Sequence, residues 1–429
     1  MHIGFYLKRE TYLKIMGALI DLCVQRGHEV LLACVTEGGV GDKAYQTLDR
    51  TKLSYFVDLG CEILPVEGIS DLRNQSLDVL VTLEGFHTLQ GQFDEIESLR
   101  SEGTKIVSLT HFFEIAKRPL EALEIFDKTY YISEYAKDLH VHLRAQGAEL
   151  VRVKRALEHK VEVAGSPMFD QIGRLSREDA RAELGIPADR KMVLLMAPVI
   201  SSITPWRFHV WGEGSRLHRT RAALAAGRIN FIPEIWLGKP FPTIMQWLRE
   251  FCDRENAWLV IKSRGKQNDP KYLSEKADLY ISGMDDSYFP LFTTYRLLAA
   301  ADLCITVNSM AAVEAVAAGV PCLNIQVPHL DLAVRLTATQ IAYQTMLLGG
   351  APETLMNYFG VVMNIDRAKV DSALMKMGLD DLAIDEKKRE EYIQKFLGIK
   401  DRSSSERILA GIESLSAPHE SDMHLQTRS

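Results

Sequence analysis

The apolar positions in the first half of the chain form short runs that alternate with segments of helical spacing. Met1–Leu7 predicts a strand, and Tyr12–Gln25 has the spacing of an amphipathic helix that ends at Gly27. Further strands are predicted from five short runs, HEVLLACV, LDVLVTLEG, TKIVSLTH, KTYYIS and KVEVAGS. This alternation indicates a parallel, doubly wound sheet, and such sheets bind ligands at the carboxyl ends of their strands.

The second half repeats the scheme. SREDARAELGI predicts a helix capped by Ser176, and strands are predicted from KMVLLMAPV, NAWLVIKSR, DLYIS, DLCITV and PCLNI. Glycine and proline punctuate the change between the halves in Gly165–Gly173. We therefore expect an α/β protein with a first domain over 1–168, a second over 169–380, C-terminal helices over 381–415 and a disordered tail over 416–429. Ile203–Pro242 is irregular and predicts a long loop or an insertion.

Composition limits the class of protein. A chain of 429 residues suits two domains of about 150–200 residues each. A net charge of -7 argues against a general nucleic-acid binder. No apolar run approaches the ~20 residues that span a bilayer, and the N-terminus predicts a strand rather than a signal peptide. The six cysteines are scattered without metal-ligand spacing, so we expect buried, reduced thiols in a cytosolic protein and no structural zinc site. We also expect no other metal and no cofactor.

The stretch ITVNSMAAVEAVAAGVPCLNI, residues 305 to 325, holds the main candidate site. A strand stops at Asn308, Ser309 can cap the helix that follows over Met310–Ala318, and Gly319 ends it. Free amides of the first turn, near Met310–Ala312, together with the helix dipole, predict an anion-binding site at the helix N-terminus.

Glu314 is the one carboxylate in this Ala- and Val-rich helix. Helical side chains tilt toward the N-terminus, so its carboxylate can lie near the same mouth and accept hydrogen bonds from a ribose diol. A salt bridge to a surface cation, or plain exposure to solvent, would explain the residue equally well from the pattern alone.

The stretch ADLCITVNSMAAVEAVAAGVPCLNI resembles the nucleotide-binding segment of GT-B enzymes, which are glycosyltransferases and relatives with two Rossmann-like domains facing across a cleft. Their pattern is an Ala-Asp before the strand, a Ser or Thr turn, Glu-Ala and Gly-x-Pro. In that superfamily the turn holds the donor phosphates and the Glu holds the ribose. The resemblance thus assigns donor binding to Asn308, Ser309, Met310, Ala311 and Glu314.

Two further segments, VAGSPMFDQI and VLLMAPVISSITPWR, are similar to segments of CDP-glycerol glycerophosphotransferases and related surface-polysaccharide enzymes, in the same order along the chain. Those enzymes carry Lys-Pro-His-Pro where this chain has VIKSRGKQNDP. Lys262 matches the Lys, but Arg264 stands in place of the His. Lys262, Arg264 and Lys266 alternate and would share one face of an extended segment. That face would neutralise a diphosphate leaving group, or it is a solvated basic loop.

Candidates for the acceptor side lie at predicted strand ends in the first half. His111 ends the strand KIVSLTH, where related enzymes often carry His-Gly with the His as suggested base; here Phe112 replaces the Gly. Histidine has a suitable pKa for base catalysis, although a strand-end His is often only structural. Glu84 and His87 follow another strand. Arg207, in the aromatic and basic stretch TPWRFHVWGEG, is a weaker acceptor candidate, because a packing loop would explain that stretch equally well.

The resemblance implies a glycosyltransferase that uses a nucleotide-sugar donor and a carbohydrate or lipid-linked hydroxyl acceptor. Relatives build bacterial surface polysaccharides or glycolipids, which implies a cytoplasmic location and leaves open peripheral association with the inner face of the membrane. The alternatives are a CDP-polyol (glycerol or ribitol) phosphotransferase, a UDP-sugar 2-epimerase and a non-catalytic nucleotide-sugar binding protein.

Overall fold

The computed structural model divides the chain into two compact units, each with a parallel sheet. Over the residues that the structure describes, the first unit contains Met1–Gln171, Tyr288–Pro290 and Gln394–Ser429, and the second contains Ile172–Ser287 and Leu291–Ile393. The described residues are 1–35, 50–84, 92–110, 125–138, 159–198, 215–225, 232–237, 240–263, 270–307, 309–326, 353–398 and 401–416.

Seven parallel strands form the sheet of the first unit. They are β1 His2–Leu7, β2 Glu29–Val35, β3 Glu62–Val66, β4 Val79–Glu84, β5 Lys105–Thr110, β6 Lys128–Tyr131 and β7 Val161–Val163. Their order is β3-β2-β1-β4-β5-β6-β7, so the direction of winding reverses between β1 and β4. In open α/β sheets, ligands bind at this reversal, outside the carboxyl ends of the strands.

Six parallel strands form the sheet of the second unit. They are β8 Lys191–Met196, β9 Ala257–Lys262, β10 Leu279–Ile281, β11 Leu303–Thr306, β12 Cys322–Gln326 and β13 Val362–Asp366. Their order, β10-β9-β8-β11-β12-β13, reverses between β8 and β11. Both sheets thus have the strand order of dinucleotide-binding folds, and the prediction of two Rossmann-like α/β domains is confirmed.

Helices follow most of the strands. In the first unit they are α1 Thr11–Gln25, α2 Ser54–Asp58 and α3 Phe93–Ser101. In the second unit they are α4 Arg177–Glu183, α5 Arg216–Ala225, α6 Ile232–Leu237, α7 Phe241–Arg254, α8 Lys271–Lys276, α9 Thr293–Ala300, α10 Ala311–Ala318, α11 Val370–Lys376 and α12 Glu386–Tyr392. The last helix, α13 Ser404–Ser416, belongs to the first unit. Ser176 caps α4 as predicted, because its Oγ accepts the N–H of Asp179 at 3.0 Å.

Two strands, β3 and β13, are absent from the predicted series, and each is an edge strand of its sheet. In β3 only Val66 is buried, and in β13 the buried Val362 and Ile365 are interrupted by exposed Met363. The interior strand β8 is buried at every position but its first. Strands covered on both faces give continuous apolar runs, and these two, with their exposed and half-exposed positions, do not, so they lacked the signal, although the other edge strands β7 and β10 were predicted.

One face of the second sheet is an apolar core covered by α7 and α11. Leu195 of β8 pairs in register with Ile261 of β9 and Ile305 of β11, and all three side chains belong to that core. Side chains alternate between the two faces of a strand. The next residues along, Lys262 and Thr306, therefore lie on the opposite face, at the carboxyl edge.

The C-terminal helices separate, although the sequence predicts them as one segment. Helix α12 belongs to the second unit, where the Arg389 guanidinium donates to the carbonyls of Val316 and Ala317 at 2.8 and 3.1 Å. The buried Tyr392 hydroxyl donates to the Leu355 carbonyl at 3.0 Å. The charged run DEKKREEY has the composition of a solvated helix face, but these contacts make it partly an internal contact surface.

Helix α13 is fastened to the first unit by the segment Gly165–Asp170. The Asp170 carboxylate accepts the backbone N–H groups of Ser404 and Ser405 at 3.2 and 2.7 Å, and the Ser405 hydroxyl at 2.6 Å. Burial raises the pKa of Asp170, although these donors act to lower it. Gly165 has a φ of 83° and leaves no room for a Cβ beside Ser404. This segment, which carries part of the family resemblance, thus has a packing role in docking the last helix.

All six cysteines are buried and none is in a disulfide, as predicted. Within the part of the chain that the structure describes, no helix combines the length and the apolar character needed to cross a membrane.

Candidate functional site

The predicted donor segment lies where the winding of the second sheet reverses. Strand β11, a neighbour of β8 at this reversal, ends at Thr306, and α10 follows. Helix α10 begins at Ala311, one residue later than predicted, and stops at Gly319, whose φ is 79°. It packs against β11 and β12, and none of its buried side chains belongs to the core under α7 and α11. The helix therefore covers the same face as Lys262 and Thr306.

Ser309 closes the first turn of α10. Its Oγ accepts the N–H of Ala311 at 3.3 Å, and its carbonyl accepts the N–H of Ala312 at 3.0 Å. Because the helix starts late, Met310 rather than Ser309 stands at the N-cap position. The prediction of free amides near Met310–Ala312 is wrong at Ala311 and Ala312, since Ser309 occupies both.

Glu314 lies one turn into α10 and is only 4% exposed. That burial excludes the plain solvent exposure which the sequence left open. The pKa of the Cys304 thiol is raised by its hydrogen bond with Cys322, then by burial, then by the charges of Cys322 and Glu314. The Glu314 carboxylate is therefore near β11, in surroundings with little water.

Lys262 ends β9, but its ammonium group is not open to solvent. Its Nζ donates to the Asp286 carboxylate at 2.8 Å and lies 5.9 Å from the centre of the Phe292 ring. The two side chains of the ion pair are 4% and 9% exposed. The cationic face predicted around Lys262 is thus neutralised at this residue by Asp286, and a phosphate would approach an ion pair rather than a lone cation.

Polar side chains form a hydrogen-bonded chain across β11, β12 and β13, on the face that α10 covers. Thr306 Oγ1 donates to Asn324 Oδ1 at 3.1 Å, and Asn324 Nδ2 donates to Asn364 Oδ1 at 2.9 Å. Asn364 Nδ2 then donates to Gln326 Oε1 at 2.6 Å. Thr306, Asn324 and Asn364 are register partners. We call Thr306, Asn324, Asn364 and Gln326 the amide ladder.

The amide ladder brings buried polar groups to the carboxyl edge, close in sequence to the Ser309 turn. Thr306 and Asn324 are completely buried. Buried polar networks hold their members in fixed positions when every group is paired. The ladder therefore gives the end of β11, from which the donor segment departs, a rigid base.

The first sheet carries hydroxyl groups at the corresponding place. Tyr6 pairs in register with Thr82, Thr82 with Ser108, and Ser108 with Thr129, and all four are buried. We call these four residues the hydroxyl row. Burial raises the pKa of Tyr6 to about 12, and its hydroxyl donates to Gln92 Oε1 at 3.3 Å.

The predicted Glu84 lies one step beyond the hydroxyl row. It is the last residue of β4 and pairs in register with Thr110 of β5. In the described part of the structure, Oγ1 of Thr110 and Oγ1 of Thr129 are buried without a hydrogen-bond partner. Among the described residues, these two hydroxyls therefore keep hydrogen-bonding capacity that is not used.

The sequence reasoning missed several of these groups. Asp286, the partner of Lys262, has no local signal. Asn324 and Asn364 each stand as a single amide in an apolar run, PCLNI and VVMNID, and that break could have marked them. Lys8 and Arg9 follow β1 at the winding reversal of the first sheet, where burial and then the charge of Arg9 lower the pKa of Lys8.

The structure unites only part of the predicted set. Ser309, Met310, Ala311 and Glu314 share one helical turn, and Lys262 lies on the same face of the sheet. Five predicted residues lie outside the described residues: His87, His111, Arg207, Arg264 and Asn308. Among the residues that are described, no three His, Cys, Asp or Glu side chains are grouped to hold a metal ion.

No family model and no curated protein matches this sequence. Solved structures do match. A provisionally named UDP-N-acetylglucosamine 2-epimerase from Listeria monocytogenes is 14% identical with a TM-score of 0.54, and the match covers 96% of each chain. The glycotransferase of kitacinnamycin is 13% identical with a TM-score of 0.51, over 97% of this chain and 99% of that one. The wall teichoic acid polymerase TagF is 11% identical with a TM-score of 0.51, over 100% of this chain and 90% of that one.

At these identities the likeness shows the fold alone. Together with the two parallel sheets, it shows that the chain has a GT-B type of fold, with two Rossmann-like domains. The resemblance stated from the sequence is thereby confirmed at the level of the fold.

Proposed function

We propose that the protein is a glycosyltransferase that moves a sugar from a nucleotide-activated donor to a hydroxyl acceptor. The observation that carries the proposal is the buried Glu314, one turn into the helix that starts at the winding reversal of the second sheet. In nucleotide-binding α/β sheets, an acidic side chain at this edge accepts the ribose hydroxyls, and a helix N-terminus takes the phosphates. The shared fold with a glycotransferase supports the reaction class.

The first turn of α10 would bind the donor diphosphate by exchanging its own hydrogen bonds. The Ser309 hydroxyl now accepts from Ala311 at 3.3 Å, a long contact. Rotation of that hydroxyl would let it donate to a phosphate oxygen and would release the Ala311 N–H for a second hydrogen bond. The positive end of the helix dipole adds to the attraction.

The reaction requires a base and a stabilised leaving group. The acceptor oxygen would attack the anomeric carbon, forming a C–O bond while the bond from that carbon to the donor phosphate oxygen breaks. The nucleoside diphosphate leaves with the electron pair, and the acceptor proton passes to a base, for which His111 and Glu84 are the proposed candidates. The first turn of α10 would stabilise the charge that develops on the leaving phosphate.

Nucleotide binding tests the donor site. We expect one of UDP, CDP, CMP, GDP and dTDP to bind selectively by calorimetry. Glu314→Gln should weaken that binding about 10- to 100-fold, because hydrogen bonds to charged groups contribute about 1.5–3 kcal/mol each. Glu178→Gln is the matched control, since it removes an exposed first-turn carboxylate from α4 of the same unit.

Four outcomes would count against the proposal or one of its parts. If none of the five nucleotides binds, the donor site is wrong. If Glu314→Gln unfolds at the wild-type temperature and binds the nucleotide unchanged, the ribose role is wrong. With the donor known, product analysis shows whether a glycoside, a phosphodiester or an epimerised sugar forms, and only the first supports a glycosyltransferase. Turnover that survives in His111→Ala and in Glu84→Gln would remove both proposed bases.

A further inference from the structure

Helices α5 and α6 of the second unit present large apolar side chains to solvent. Leu217 and Leu224 of α5 are 53% and 48% exposed, and Trp236 of α6 is 47% exposed. These are three of the seven large apolar side chains that are exposed among the described residues. Single exposed apolar residues are ordinary on protein surfaces, but a group of them marks an interaction site.

The three side chains form one continuous patch. Leu217, Thr220 and Leu224 follow one another at helical spacing and therefore lie along one stripe of α5. The Trp236 indole Nε1 donates to Thr220 Oγ1 at 3.0 Å, which places the indole beside the middle of that stripe. We call Leu217, Thr220, Leu224 and Trp236 the α5–α6 patch.

The packing of α5 shows which of its faces is outward. Arg219 and Ala223 are buried, and they lie on the side of the helix away from Leu217 and Leu224. Helix α5 therefore packs on the rest of its unit through the face that carries Arg219 and Ala223, and the α5–α6 patch is left on the opposite, outward face.

The surroundings of the patch are basic, although the whole chain is acidic. Helix α5, RLHRTRAALA, carries three arginines and one histidine and no carboxylate, and Arg216 and Arg221 are exposed. The sequences of α5 and α6 together contain three Arg against one Glu. The net charge of the chain is -7.

We propose that the α5–α6 patch docks the second unit on an anionic lipid surface. Leucine and tryptophan side chains insert into the boundary between headgroups and acyl chains, and tryptophan is enriched there because its apolar body carries one polar N–H. Arginines beside them are attracted to anionic headgroups. The charge of the patch thus complements such a surface.

The small extent of the patch favours lipid over a protein partner. A stable protein interface buries roughly 800 Å² on each side, and three half-exposed side chains supply much less. A lipid surface has no such threshold, because it takes up individual apolar side chains and adds the attraction of each cation. This inference is independent of the proposed donor site.

Vesicle sedimentation tests it with the full chain. We expect binding to vesicles of phosphatidylcholine with phosphatidylglycerol, weak binding to phosphatidylcholine alone, and a decrease as salt is added. Leu217→Asn combined with Leu224→Asn should lower the partition coefficient by about tenfold or more. Arg216→Gln combined with Arg221→Gln should lower it by roughly fivefold for each arginine.

Two control pairs in the same unit make the comparison specific. Phe359→Ser with Met375→Asn removes side chains that are 89% and 76% exposed and belong to neither α5 nor α6, and should leave binding unchanged. Lys271→Gln with Lys387→Gln removes the same charge from exposed positions and should also bind as the wild type does.

The proposal is overturned if the wild-type chain does not sediment with anionic vesicles at low salt, or if both patch variants sediment as the wild type does. It is also overturned if the leucine pair reduces the assembled mass in light scattering and leaves vesicle binding intact, because the patch would then join protein chains. On vesicle addition the tryptophan emission of the wild type should shift to the blue, and the shift should be lost in the Trp236→Phe variant, whether or not nucleotide binding is detected.

Discussion

The two sheets wind in the same order, yet their carboxyl edges hold polar groups in different ways. In the second sheet, the amide ladder pairs its own donors and acceptors, and Lys262 is neutralised by Asp286. In the first sheet, the hydroxyl row and the step beyond it include Thr129 and Thr110, whose Oγ1 atoms lack a hydrogen-bond partner in the described part of the structure.

This difference indicates how each edge can interact with a ligand. Paired buried groups keep one arrangement before any ligand arrives, whereas an unpaired buried hydroxyl costs free energy and keeps its capacity to bond unused. The second edge is therefore rigid and supports our assignment of donor binding to it. The first edge retains groups that a water or a ligand would satisfy.

The largest expected effect comes from the buried ion pair of the second unit. Lys262→Met leaves the Asp286 carboxylate buried without its cation and should lower the free energy of unfolding of this unit by about 3–5 kcal/mol. The double variant Lys262→Met with Asp286→Leu should recover much of that loss. Hydrogen exchange of the β8 and β9 amides measures the second unit separately from the first.

The outcome also separates two roles of Lys262. If the double variant is stable but no longer binds the nucleotide, Lys262 contributes to the donor site directly. A single variant that unfolds within about 0.5 kcal/mol of the wild type would contradict the structural role.

A matched pair of substitutions tests the contrast between the edges, with a smaller expected effect. Thr306→Val removes a donor to Asn324 and should lower the free energy of unfolding by about 1–3 kcal/mol, because the Asn324 oxygen remains buried. Thr129→Val removes a hydroxyl that has no hydrogen-bond partner among the described residues, and should leave stability unchanged or raise it by as much as about 1 kcal/mol. Chemical denaturation of both variants measures the two changes in the free energy of unfolding. Equal losses in the two variants would contradict the contrast between the edges.

The smallest effect concerns an exposed ion pair of the first unit. Both Asp401 oxygens lie 2.8 Å from Arg407 Nη1, and this hydrogen bond lowers the pKa of Asp401. A lowered pKa means that the pair stabilises the folded state above the ordinary aspartate pKa of about 3.9 and loses this effect as the pH falls through the folded value. Since the side chains are 58% and 26% exposed, the contribution is below about 1 kcal/mol.

Asp401→Asn should therefore unfold at a slightly lower temperature than the wild type near neutral pH, and the difference should vanish in acid. Unfolding midpoints measured across this pH range test the sign. A difference that persisted or grew below the pKa of Asp401 would show that the substitution acts through something other than the charge.

Much of this architecture could be predicted from local patterns in the sequence. Interior strands such as β8 and β11 are buried on both faces and leave continuous apolar runs, so the doubly wound order could be predicted. Ser176 and Gly319 act within one turn of the chain, and their roles as cap and stop also follow from local geometry. The candidate site was predictable to the same extent, because the Ser309 turn and Glu314 lie within six residues of one another.

The tertiary structure decided what distant residues do to one another. It paired Lys262 with Asp286, aligned Thr306 with Asn324 and Asn364 across three strands, and brought Asp170 to the start of α13. It also paired the N–H groups of Ala311 and Ala312, which the sequence predicts to be free, with oxygen atoms of Ser309. The physical reason is that periodicity fixes the face on which a side chain lies, but strand register and packing determine which polar group it meets there.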